Sequence, residues 1–191
     1  MSKTFSPFRV FSRLCKGELE MAQKPSINMS EAEQQRLLDW WNATEKGVLV
    51  VRRLVSLITE LRLHPESSRA DGMILFYRAA SEVSYGYAGM RGCIRRAFSN
   101  EYSEFLQNNI VRCHSFARRF SVDTKVLLER VAKQINGANA LLIVERIRET
   151  LRENDAILTE IERKANAFFG QDTFQSLQSN LMNSITLPFS Q

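Results

Sequence analysis

Proline and glycine are both scarce in this chain, at 4 and 8 of 191 residues. Pro7, Pro25 and Pro188 lie towards the ends, and only Pro65 interrupts the middle. Proline removes a backbone donor and clashes with the preceding turn, so the long proline-free stretch after Pro65 favours long helices. Histidine is scarcer still, with only His64 and His114, so a metal site would have to lean on carboxylates. The cysteines, Cys15, Cys93 and Cys113, form no CxxC and no spacing that suits zinc. An odd number without a secretory signal points to reduced thiols and a cytoplasmic setting. No run approaches the roughly 18 apolar residues of a membrane-spanning helix.

What is present suits a globular chain. An apolar fraction of 44% beside 25% charged residues argues against wholesale disorder. A chain of this length supports a core without staples. The expected class is all-α: a bundle of about five to six helices, two of them long and amphipathic, near 30–63 and 138–169. The expected organisation is a basic amphipathic N-terminal tail over 1–28, a single helical-bundle domain over 29–187 and a C-terminal tail over 188–191.

The first long helix opens on Ser30-Glu31-Ala32-Glu33, a capping box. Its apolar positions run Leu37, Trp41, Thr44, Val48, Val51, Val55 and Ile58 in steps of four and three, with Gly47 as a soft spot. It stops before Pro65, because the residue preceding proline avoids the α region. A second helix over Gly72–Phe98 carries Ala80, Ser84, Ala88 and Gly92, small residues four apart that would let another backbone approach. Gly86 and Gly89 favour a break near Tyr85–Gly89. A third helix over Glu101–Phe120 and a fourth over Thr124–Asn136 are expected to be separated by a turn or cap at Ser121-Val-Asp-Thr. The fifth, Ala138 to Phe169, keeps a heptad rhythm through Val144, Ile147, Leu151, Asn154, Leu158, Ile161, Ala165 and Phe168. Asn154, polar in that seam, would fix register. A last short helix runs from Asp172 to Ile185.

Charge is uneven. Lys3, Arg9, Arg13 and Lys16 stand in residues 1–17 without an acid. On a helix they would oppose a stripe of Phe5, Phe8, Phe11 and Leu14. That stripe is a candidate for contact with the chain's own core, a protein partner or a membrane surface. The acid-free, Arg- and Ser-bearing segment also fits import into an organelle, and Cys15 among bases fits palmitoylation. A second basic zone over 91–134 is rich in arginine and interleaved with Tyr85, Tyr87, Phe98, Tyr102, Phe105, Phe116 and Phe120. Arg91, Arg95, Arg96, Arg112, Arg118 and Arg119 are its candidate anion or nucleic-acid contacts, since arginine forks hold phosphate and aromatics stack bases. The structural alternative makes the aromatics core and the arginines their solvated flank.

Catalytic constellations are not found. Gly86-Tyr-Ala-Gly89-Met-Arg-Gly92 is neither GxGxxG nor GxxxxGK[ST], and no strand precedes it. Its Gly89-Met-Arg-Gly92 matches the GxxG of KH domains, which also require a sheet. Cys113 and His114 are adjacent and point about 100° apart on a helix, which makes a poor chelate or nucleophile pair. Each histidine reads as a surface or cap residue. No metal and no cofactor is expected, and the chain reads as non-enzymatic.

The leading expectation is a helical interaction or assembly protein that contacts a protein partner or itself. Nucleic-acid binding or packaging through 91–134 is the alternative, and a membrane-surface adaptor acting through 1–17 is a second. The segment Gly170-Gln-Asp-Thr-Phe174, closing a helix–loop–helix pattern, resembles the coat proteins of rod-shaped plant viruses over a handful of residues. That resemblance implies a packaging role.

Overall fold

The computed structural model describes residues 30–67, 70–99, 104–170 and 173–184. They form five helices: α1 (Glu31–Leu63), α2 (Met73–Phe98), α3 (Glu104–Ala132), α4 (Ala138–Phe169) and α5 (Thr173–Ser184). The fold is an all-α helical bundle. Phe5, Phe8, Phe11, Leu14 and both tails lie outside the described residues.

The ends of α1 follow from local chemistry. The Ser30 hydroxyl accepts from the Glu33 N–H at 3.3 Å, and the Glu33 carboxylate accepts from the Ser30 N–H at 2.9 Å. Both bonds of the capping box are therefore made. At the other end His64, forced extended by Pro65, closes the helix. The Leu61 carbonyl at this end accepts from the His64 N–H at 3.1 Å and also from the Ser67 hydroxyl. Gly72 precedes α2 at φ 88°, a left-handed conformation that a side chain would resist.

Paired side chains fix the topology. Asp39, Arg53 and Glu60 of α1 meet Lys164, Glu153 and Arg146 of α4, running in opposite directions. Arg118, Lys125 and Glu129 of α3 meet Glu162, Asp155 and Arg148 of α4 in the same antiparallel sense. Glu45 of α1 meets Arg91 of α2. Between α2 and α3 the backbones themselves close in. A Cβ on Gly86 would stand 2.6 Å from the Ala117 Cβ, and one on Gly89 would stand 2.4 Å from the Cys113 Sγ. The result is an up–down–up–down ring of α1 to α4, with α5 packed on α3 and α4.

The core has two halves. Around α5 lie Leu37, Trp40, Met90, Ile94, Leu158 and Phe174; at the far end lie Ile58, Leu61, Phe76, Leu128, Val144 and Ile147. Where they meet, a chain of polar groups crosses the bundle. The Tyr87 hydroxyl donates to Asn154 Oδ1 at 2.9 Å, and Asn154 Nδ2 donates to Ser121 Oγ at 3.0 Å. Ser121 in turn donates to Asp155 Oδ1 at 3.1 Å. Each of the Tyr87, Asn154 and Ser121 polar atoms in this layer has its partner, which is the condition for such a layer to be tolerated.

Several sequence expectations are corrected. Ser121-Val-Asp-Thr is not a turn, and α3 runs straight through it. Ser121 spends its hydroxyl on α4, while Thr124 donates back to the Phe120 carbonyl at 2.6 Å, so neither competes with the helix. α2 does not break at Tyr85–Gly89; those glycines are where α3 approaches. Gly47 is less a soft spot than a seat for the Tyr87 ring, which would clash with any Cβ there. On α1 the fully buried tryptophan is Trp40, and Trp41, Val48 and Val55 sit on the half-buried flank. On α4 the heptad holds: Val144 through Ala165 are buried, and Phe168 is partly so.

Candidate functional site

The half-buried flank of α1 and the outer flank of α2 enclose a groove of about 840 Å³. Trp41, Val48 and Arg52 follow one another on α1 at helical spacings of seven and four, which places them on one wall. On α2, Ser84, Ala88 and Gly92 recur every four residues and line the groove, while Arg91, Arg95 and Phe98 stand beside them. This small-residue row was expected to receive a neighbouring helix. Among the described residues none covers it: Ser84, Ala88 and Gly92 are exposed, and a Cβ on Gly92 would meet nothing within 4 Å.

Its aromatic end is already organised. The Trp41 and Phe98 rings meet edge to face, with centroids 6.2 Å apart. The Arg91 guanidinium carbon lies 5.5 Å from the Trp41 ring centre, and Arg91 Nε lies 2.6 Å from Glu45 Oε1. That pairing holds Arg91 across the wall. Among the described residues the groove is lined by three arginines, Arg52, Arg91 and Arg95, and by no acid. A second depression between α1 and α4, of about 450 Å³, has mixed charge and is spanned by the Arg53–Glu153 ion pair.

The six candidate arginines do not share one surface. Arg91 and Arg95 line the groove. Arg96 sits beside Cys93. Arg112 and Arg119 are exposed on α3. Arg118 is engaged by α4, donating to Glu162 at 3.1 Å and to Thr159 at 3.2 Å. Of the interleaved aromatics, Tyr87 is wholly buried, and burial pushes its hydroxyl pKa far above the usual range. Phe116 and Phe120 pack on each other with ring centres 4.6 Å apart. Arg52 escaped the sequence reading because it lies outside the basic zone; its place seven residues after Glu45 and four after Val48 is the signal that marks it.

His114 is corrected from surface to core. It is fully buried on α3, with Nε2 2.8 Å from the Leu158 carbonyl and the Phe174 ring edge-on at 4.9 Å. Burial holds it neutral, lowering its pKa to about 4. Its Nδ1 has no hydrogen-bond partner among the described residues. His64 is the C-cap of α1, as a cap reading requires. Neither histidine opens onto the groove. Among the described residues no group of three or more His, Cys, Asp or Glu is placed to hold a metal, and no helix is long and apolar enough to cross a membrane.

No family model, no curated protein and no solved structure matches this chain. The resemblance of residues 170–174 to coat proteins gains no support from those comparisons.

Proposed function

We propose that this chain is a non-catalytic interaction protein that holds a protein partner in the groove between α1 and α2. The observation that carries this reading is the groove itself. It presents an aromatic and aliphatic wall and a row of small residues, Ser84, Ala88 and Gly92, that no described helix occupies. Helical partners lay an apolar face into grooves of this kind. The buried states of His114 and Cys113 support a role without nucleophilic or acid–base chemistry, because both are sealed in the core. The dispersal of the six arginines favours a protein over a nucleic-acid strand, which needs cations tracking one path.

A photo-crosslinking residue placed at Ala88 tests the reading in cells that make the protein. Discrete protein adducts that Val48→Glu abolishes are expected. Adducts with nucleic acid, or no adduct, would overturn it.

A further inference from the structure

We infer that the occupant of the α1–α2 groove is an acidic amphipathic helix of about four turns. The inference rests on the reading of the groove as a protein-docking site and adds the chemistry of the partner.

Length comes from α2. From Ser84 to Phe98 the groove follows roughly 14 residues of helix, or about 21 Å at a rise of 1.5 Å per residue. Shape comes from Ser84, Ala88 and Gly92, which keep that wall low enough for a second helix backbone to settle along it. Trp41, Val48 and Phe98 offer apolar surface to one stripe of such a helix. Tryptophan is among the residue types that dominate binding energy at interfaces, and Trp41 anchors the aromatic end of this groove.

Charge selects the sign of the partner. Among the described residues, every charged side chain lining the groove is an arginine. Arg91 is answered by Glu45. Arg52 and Arg95 are exposed, on opposite walls, and have no ion-pair partner among the described residues. An apolar stripe flanked on both sides by Asp or Glu would meet both. The chain's own Phe5–Leu14 stripe has the wrong sign, since Lys3, Arg9, Arg13 and Lys16 accompany it without an acid. Like charges would then face each other across the groove.

The test screens a displayed library of helical peptides against the full chain, with Val48→Glu as the counter-screen. Enriched peptides are expected to carry an apolar stripe over about four turns, flanked by acids. The Arg52→Glu/Arg95→Glu double variant should bind them at least tenfold more weakly and enrich Lys- or Arg-flanked helices instead; charge reversal at a rim acts on partner choice in this way. Neutral or basic helices that Val48→Glu removes would sink the acidic inference while leaving the groove a docking site. No groove-dependent peptide, together with no protein adduct at Ala88, would sink both. Binding that emerges only when Phe5, Phe8 and Phe11 are changed to serine would identify the chain's own segment as occupant and overturn the proposal.

Discussion

Asn154 sits fully buried at the junction of the two core halves and serves two helices at once, accepting from Tyr87 and donating to Ser121. Asn154→Ala strands the Tyr87 hydroxyl and opens a void, so a loss of about 3 kcal/mol in urea unfolding is expected. Adding Tyr87→Phe, which deletes the stranded group, should recover part of that loss; a double variant no more stable than Asn154→Ala would refute the account. His114 makes a second residue-scale prediction. Its folded pKa is depressed, mainly by burial, from its ordinary 6.5 to about 4. Between those values the unfolded chain binds the extra proton. Its contribution is intact above about pH 6.5 and falls away as pH drops towards 4, by roughly 3 kcal/mol at most. Urea midpoints at pH 7 and pH 5 should separate in the native chain and converge in His114→Gln.

At the scale of elements, the α2–α3 contact and the open flank of α2 make opposite demands on glycine. Gly86→Ala drives a Cβ into the Ala117 Cβ and to within 2.8 Å of the Cys113 carbonyl, a helix backbone atom that cannot swing aside. A cost of about 1–3 kcal/mol follows. Gly92→Ala meets nothing within 4 Å and replaces a poor helix former. It should stabilise by about 0.5–1 kcal/mol. Thermal melts of the two variants should therefore move in opposite directions. α5 is a lid on His114 through Phe174. Phe174→Ala should raise the His114 pKa towards its ordinary value, followed by NMR titration of the imidazole. An unchanged value would mean that the burial comes from α4 alone.

For the whole molecule, stability belongs to the two-part core rather than to the ring of ion pairs around it. The α1–α4 pair Arg53–Glu153 is about half exposed on both sides, at 52% and 50%, and such pairs contribute little in water. Raising NaCl from roughly 0.1 to 1 M should change unfolding free energy by less than about 1 kcal/mol. A larger loss would make the ion pairs structural. The groove stands outside this accounting, because Arg52 and Arg95 have no partner among the described residues whose loss would be felt on folding.

The sequence alone determined where α1 and α4 begin and end and which face of α4 is inward. Those features are local: a serine and a glutamate three apart, a residue trapped before Pro65, a heptad that admits one seam. Half of the groove was also legible, since Ser84, Ala88 and Gly92 stood out by spacing. What only the tertiary structure decided was which neighbour each face meets. Trp40 and Trp41 are adjacent and chemically alike, and only the position of α4, whose Phe168 and Phe169 rings pack on Trp40, buries one and leaves the other to line a groove. Ser121 and Thr124 resemble turn residues until α4 and the Phe120 carbonyl take their hydroxyls. His114 looked like a surface residue until α4 and Phe174 closed over it. Local pattern fixes a helix and its apolar stripe, but burial is a property of pairs of elements, and it is settled when they pack.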